Sequence, residues 1–104
     1  MQAAYASEFS REMGCTIAEW WSWLPQAIGP HPWQREGDAV HIQIHANGTL
    51  LGHLHMDWQE LAPRQIASIR IPCLLVNFSF TGLDALQRYQ FMRRFDLYMQ
   101  RGGG

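Results

Sequence analysis

Three histidines in the segment 39–58 are the residues of this chain whose type and spacing could do chemistry. His53 and His55 lie two residues apart, and His41 lies in an earlier run of alternating residues. Side chains two apart on a strand share a face, and facing residues on paired strands have Cβ atoms about 4.5–5.5 Å apart. Three converging imidazoles could hold a metal ion and leave one position open for an activated water. The metal-site hypothesis therefore names His41, His53 and His55, with zinc or another transition metal as the ion.

The segment 39–58 is predicted to be a β-hairpin, because apolar and polar residues alternate in both of its halves. A three-residue loop at 46–48 keeps the apolar residues of both strands on one face, whereas a two-residue turn at 47–48 mixes the two sets. We therefore expect the three-residue loop, which places His41 directly opposite His53. The alternatives to a metal site are that this polar face is solvated or that it is buried in a dimer interface.

A helix is predicted to begin at Ile17, because Thr16 and Glu19 have the spacing of a capping box. Apolar residues follow at helical spacing, which indicates a buried stripe along the helix. Pro25 lacks the N–H group that a helix interior needs, so we expect the helix to kink or break near Leu24.

The stretch after the hairpin is predicted to hold two more strands. Residues 59–65 read as a connecting loop, and the segment 66–80 reads as two β-like runs. Their alternation changes phase at Pro72, which indicates either a turn between two strands or a bend within one. We expect two strands, which makes four strands in all.

The C-terminal segment is predicted to be a long helix that Thr81 caps and Gly102 ends. Asp96 is expected on its solvated side, in at most a local ion pair with Arg93. The apolar residues cover about half of the helix circumference, which is more than one face of a sheet can bury, so we expect the first helix or a second subunit to pack beside this helix. They are Ala85, Tyr89, Phe91, Met92, Phe95, Tyr98 and Met99.

Together these elements predict an α+β fold. An N-terminal helix precedes a four-stranded, mostly antiparallel sheet, made of the β-hairpin 39–58 and two strands in 66–80. The long C-terminal helix packs on one face of that sheet. The length of 104 residues predicts one domain over 1–104. Residues 1–14 are polar and without a clear period, which leaves a partly helical segment and a disordered one as alternatives, and residues 102–104 are expected to be disordered.

Composition narrows the function classes. Only 16% of the residues are charged and 47% are apolar, against about 25% charged in an ordinary soluble domain, so part of the apolar surface is expected to be covered by a partner. A net charge of −1 argues against nucleic acid and anionic membranes as partners. All eight basic residues are arginine, which is typical of a G+C-rich bacterial genome.

The N-terminus carries no signal-peptide pattern, and no stretch has the ~18 apolar residues of a membrane span. Cys15 and Cys73 are far apart and lack CxxC spacing, as expected of reduced thiols in a cytoplasmic protein.

No nucleophile elbow, P-loop or dinucleotide fingerprint occurs in the sequence, so we expect a non-catalytic module that binds another protein or associates with itself. Trp21 and Trp23 cannot both face the core of one helix, so one of them is a candidate interface anchor. Phe91 and Tyr98, on the wide apolar arc of the last helix, are the other candidates. The alternatives are a metal-binding protein with the three-histidine site and a small-ligand-binding domain with a Trp-lined pocket.

Overall fold

The computed structural model describes residues 4–101 and shows an α+β fold, as the sequence predicts. Two helices pack against each other on one face of a five-stranded antiparallel sheet, whose strand order is β1-β5-β4-β3-β2. The elements in chain order are β1 (Glu8–Met13), α1 (Ile17–Ile28), β2 (Trp33–Arg35), β3 (Ala39–Ala46), β4 (Thr49–Ile66), β5 (Ile69–Thr81) and α2 (Ala85–Arg101).

Both alternatives predicted for residues 1–14, partly helical and disordered, are wrong for β1, which is an edge strand paired with β5. Its residues alternate between half-buried and exposed, with Phe9 on the half-buried side and stacked on Phe78 at a ring-centroid distance of 4.6 Å. Six residues with only two large apolar side chains give too weak a period to be recognised without the partner strand. The short strand β2 was also missed, and residues 102–104 lie outside the described part of the chain.

The connection between β3 and β4 is a two-residue turn at Asn47 and Gly48, so the predicted three-residue loop is wrong. Both turn residues have positive φ, as a tight hairpin turn of this kind requires. The apolar sets stay on one face because Leu51 is an extra residue on β4, between the pairs that flank it. With the two-residue turn alone, the apolar residues of β3 and β4 would lie on opposite faces, and the extra residue of the bulge returns them to the same face.

β4 and β5 form one long hairpin, which corrects the predicted loop at 59–65 and the predicted pair of strands in 66–80. A tight turn at Ala67 and Ser68 joins them, and Ala67 has a φ of 53°. Ala62 and Pro63 lie at a register shift between β4 and β5. β5 itself continues without interruption through Pro72, so the phase change there marks a switch of its apolar residues from one face of the strand to the other, and the sheet has five strands.

α1 begins as predicted, with Thr16 as the N-cap and a complete capping box with Glu19. It continues through Pro25 to Ile28, contrary to the predicted break. Ala27 and Ile28 are buried, so packing of the last turn offsets the backbone hydrogen bond that Pro25 cannot make.

α2 is capped by Asp84, and not by Thr81. The Asp84 carboxylate accepts the backbone N–H of Gln87 at 2.8 Å, and the Gln87 side chain accepts that of Asp84 at 2.9 Å. The predicted C-cap, Gly102, lies outside the described residues. The core between helices and sheet takes every second residue of β3, β4 and β5, so the helix-free face of the sheet carries the alternate residues.

Candidate functional site

The predicted histidines lie on the helix-free face, where they start a row of polar contacts across the sheet. His41 faces His55 in the strand register, and not His53 as predicted, because the two-residue turn and the bulge shift the pairing by two residues. The hydrogen bond is nevertheless diagonal: His41 Nε2 lies 3.1 Å from His53 Nδ1. Since one nitrogen must donate and the other accept, these two rings satisfy each other.

The row continues from β4 to β1 through side chains that are hydrogen-bond partners of one another. His55 Nε2 lies 3.5 Å from a carboxylate oxygen of Asp57. Asp57 accepts the amide of Asn77 at 2.7 Å, and Asn77 in turn accepts the Ser10 hydroxyl at 2.5 Å. The polar half of the helix-free face is therefore an internally bonded network.

This arrangement does not bring the three predicted metal ligands together. The His41 and His53 nitrogens are turned toward each other, whereas His55 is turned toward Asp57. In the part of the chain that the structure describes, no three His, Cys, Asp or Glu side chains form a group that could hold a metal ion. The geometry therefore does not favour the metal-site hypothesis.

His31, which the sequence analysis did not single out, lies in the loop after α1. Its Nδ1 accepts the backbone N–H of His45 at 3.1 Å, and its ring lies against Phe91 at a centroid distance of 5.5 Å. Burial, together with the nearby His45 and Arg94, lowers the pKa of His31 below its ordinary value. The folded protein thus holds this imidazole neutral, with Nδ1 as acceptor and the proton on Nε2.

We expect the free energy of unfolding to fall on acidification because of His31. Below about pH 6.5, the imidazole of the unfolded chain is protonated, whereas the lowered pKa keeps the same imidazole neutral in the folded chain. Acidification therefore favours the unfolded state, and the free energy of unfolding falls until the pH drops below the folded-state pKa. His31→Gln should reduce this fall between about pH 7.5 and pH 5, measured by urea unfolding. The control is His55→Gln, which removes a half-buried imidazole of the helix-free face and should retain more of the fall than His31→Gln does. Equal pH profiles for wild type and His31→Gln would contradict the assignment.

The four predicted interaction residues do not form one surface. Trp21 is half-buried, edge-on to Trp58 at 5.1 Å, with the Arg35 guanidinium 4.1 Å above its ring. Trp23 and Tyr98 are also half-buried and packed against the core, and Phe91 is a buried core residue. The largest apolar exposure among the described residues lies elsewhere.

A two-stranded arm, defined here as residues 61–73, extends beyond the rest of the sheet. β3 pairs with β4 only as far as Asp57, and β1 pairs with β5 only from Leu74 onward. The arm strands therefore pair with each other alone. An isolated two-stranded ribbon is marginally stable in water, so apolar side chains on it are costly unless they are covered.

The arm carries an apolar stripe on the same side as the helix-free face. Ile66 pairs with Ile69 and Leu61 with Cys73, and facing residues of paired strands share a face. Ile66 is 55% and Ile69 is 61% exposed, among the highest values for large apolar side chains in the described chain. The stripe continues onto the sheet and consists of Leu61, Ile66, Ile69, Ile71, Cys73 and Leu75.

Sequence reasoning missed this stripe because it treated residues 59–65 as a loop. The available signal was the spacing of Ile66, Ile69 and Ile71 around the pair Ala67–Ser68, which fits a hairpin tip. Alanine is a poor indicator of such a turn, because positive φ is costly for it.

The free edges of the arm each contain a proline. Pro63 lies on β4 at the register shift, and Pro72 lies on β5. Proline has no N–H to offer to an added strand, and edge prolines limit strand addition. The arm is therefore suited to contacts through the side chains of its stripe.

The two cysteines are buried free thiols. Burial raises the pKa of Cys15 to about 11, with smaller contributions from Glu19 and Cys73. Burial also raises the pKa of Cys73, whose thiol donates to Glu12 at 3.5 Å. Because a thiolate is the reactive form, neither residue has the character of a catalytic nucleophile at neutral pH.

No protein-family model matches this chain, and searches of curated proteins and of solved structures give no significant match. Among the described helices, none is long and apolar enough to cross a lipid bilayer. The function of the chain must be inferred from its own residues and contacts.

Proposed function

We propose that this chain is a non-catalytic interaction module that associates with a second copy of itself through the helix-free face and the arm. The observation that carries the proposal is the apolar stripe, in which Ile66 and Ile69 are more than half exposed near the tip of a ribbon that pairs with no third strand of the described chain. A partner that buries the stripe removes apolar surface from water, at about 25 cal/mol per Å².

The charges at the stripe support a second copy as the partner. Arg64 and Glu12 form a 3.2 Å ion pair beside it, so the local charge is balanced. Two such surfaces do not repel each other, and a two-fold axis presents the same patch on both sides. The hydrogen bonds of the polar network of His41, His53 and Asp57 are made within one copy, so they need no partner to satisfy them.

The size of the surface also supports a dimer. Five strands about 4.8 Å apart, each contributing about eight residues at ~3.3 Å, give the sheet face roughly 600 Å², and the arm adds roughly 200 Å². A standard protein–protein interface buries about 800 Å² on each partner. The face with its arm therefore has the area that a specific dimer requires.

The test is the substitution Ile69→Glu in the full chain. We expect wild type to be a dimer in sedimentation equilibrium or native mass spectrometry, and Ile69→Glu to raise the dissociation constant about 100-fold or more. The physical reason is that each copy would bury a carboxylate within the apolar part of the contact. Because Ile69 is exposed in the single chain, the substitution should leave the circular dichroism spectrum and the fold intact.

Leu86→Glu is the matched control, since Leu86 on α2 is 63% exposed, close to the 61% of Ile69. It introduces the same charge away from the arm, so self-association should be unchanged. A wild-type chain that stays monomeric across a wide concentration range would refute self-association. A dimer that both variants weaken equally would refute the arm as its contact surface.

A further inference from the structure

A half-open cleft of about 190 Å³ lies between α2 and the turn that joins β3 to β4. Its apolar lining is formed by Ile44, Leu51 and Phe91. Leu51 is the bulge residue of β4, so the register shift that aligns the hairpin also brings this side chain to the cleft. The cleft is at the start of β4, whereas the arm is at its end, so the two surfaces are separate.

Arg94 lines the cleft and makes two contacts that orient its side chain. Its guanidinium lies 4.5 Å from the centroid of the Tyr98 ring, and its terminal nitrogen donates to the Gln26 carbonyl at 3.4 Å. A Cβ at Gly29 would come within 2.6 Å of Arg94 Nε, so the absence of a side chain there makes room for the arginine. The ion pairs among the described residues involve Arg11, Arg64 and His55, and no carboxylate is paired with Arg94.

The other polar lining residues present hydrogen-bond donors as well. His31 Nδ1 accepts a backbone N–H, which leaves Nε2–H as a donor on the neutral ring. The Gln87 side-chain oxygen accepts the backbone N–H of Asp84, which leaves its NH₂ group free. Gln90 adds a second amide, and no Asp or Glu lines the cleft.

His45 completes the lining with a different property. Its Nδ1 lies 3.2 Å from the Gln43 carbonyl, and since a carbonyl can only accept, Nδ1 carries the proton. Nε2 of the neutral ring is then an acceptor. The cleft thus combines a fixed cation, several donors, one acceptor and an apolar wall.

We infer that this cleft binds a small organic carboxylate, with the carboxylate at Arg94 and an apolar body against Phe91 and Leu51. A guanidinium matches a carboxylate in a two-pronged hydrogen bond, and apolar walls with few polar groups are typical of small-molecule sites. The volume of 190 Å³ is below the ~300–1,000 Å³ of sites for drug-sized ligands, so the ligand is metabolite-sized. An inorganic anion such as phosphate would leave the apolar wall without a contact.

The experiment is an NMR titration of the ¹⁵N-labelled full chain with sodium benzoate. We expect saturable shifts of the backbone amides of Ala46, Leu51 and Phe91. Benzamide has the same shape without the charge, and inorganic phosphate has charge without the apolar body. Both should bind at least about tenfold more weakly than benzoate, because each lacks one of the two contacts.

Arg94→Gln should weaken benzoate binding at least about tenfold, because it removes the charged partner of the carboxylate. Arg93→Gln is the matched control: it changes the same type of residue one position earlier and should leave the affinity unchanged. The NMR spectrum itself shows whether each variant is folded. Equal binding of benzoate and benzamide, an unchanged affinity in Arg94→Gln, or no saturable shifts in wild type would each overturn the inference.

Because the cleft is separate from the arm, the inference does not depend on self-association. The Ile69→Glu variant should bind benzoate with wild-type affinity. Loss of binding in that variant would show that the cleft forms only in the dimer, and would overturn the inference as stated for the single chain.

Discussion

Replacing Asp96 by alanine is expected to lower the free energy of unfolding by about 3 kcal/mol, because it breaks a largely buried ion pair. Asp96 on α2 is 7% exposed and accepts hydrogen bonds from two groups near the N-terminus. Arg11 donates to one carboxylate oxygen at 2.7 Å, and the Tyr5 hydroxyl donates to the other at 2.5 Å. Burial raises the pKa of Tyr5 to about 12, with a further contribution from Asp96, so the phenol stays a donor at neutral pH.

The cost is large because the groups that remain are themselves removed from water. The Arg11 side chain is 21% exposed and lies over the Phe78 ring at 5.2 Å, so its charge stays in a largely apolar setting when the carboxylate is removed. The contact also joins β1 to α2, so its loss weakens the attachment of an edge strand. For a chain of this size the expected fall in Tm is about 15 °C.

Asp57→Ala is the control, because the Asp57 side chain is 47% exposed, its approach to His55 is long at 3.5 Å, and its one short contact is the 2.7 Å hydrogen bond from the neutral Asn77 amide. Surface pairs of this kind contribute about 0–1 kcal/mol. Urea unfolding of both variants measures the difference. Similar losses for Asp96→Ala and Asp57→Ala would show that the Arg11–Asp96 contact is not a main source of stability.

Replacing Gly52 by alanine is expected to lower the free energy of unfolding by about 2–3 kcal/mol through overpacking. A Cβ at this position would lie 2.2 Å from the Thr81 carbonyl oxygen and 2.3 Å from Leu83 Cδ1. The first of these atoms is backbone, and it belongs to the last residue of β5, directly before the turn into α2. The clash can therefore be relieved only if β4 or the start of α2 moves.

Gly14→Ala is the matched control for this substitution. A Cβ at Gly14 would meet Ile71 Cγ2 at 3.6 Å, an ordinary van der Waals contact. Since Gly14 has no positive φ, alanine should be tolerated there within about 0.5 kcal/mol. Thermal and urea unfolding should separate the two variants clearly. If Gly52→Ala were as stable as Gly14→Ala, the close approach of β4 to the β5–α2 turn would not be a real constraint.

Patterns confined to neighbouring residues were predictable from the sequence. The capping box of Thr16 and Glu19 and the buried stripe of α1 formed as expected, because both depend on spacing within one or two helical turns. The helix-facing residues of β3 and the polar face with His41 also followed from alternation. These features specify the α+β class.

The register of the sheet could not be predicted in this way. His41 was placed opposite His53 by an argument in which the loop length alone set the phase, and the bulge at Leu51 gave a second solution. The two hairpin registers bury the same apolar residues, so only the packing between the hairpin and the rest of the fold distinguishes them. The same holds for β5 as a single strand, since a turn and a switch of the apolar residues between the faces of one continuous strand produce the same change of phase in the sequence.

The sequence by itself determined which residues form each amphipathic segment, since helical and strand periods are written in the local order of apolar side chains. Only the tertiary structure decided what those segments meet. Asp96 was expected on a solvated face, but it meets Arg11, 85 residues away. Ile66 and Ile69 were expected in the sheet, but they lie on an arm beyond it. Long-range contacts of this kind depend on which elements pack together, and one sequence holds no local signal for that choice.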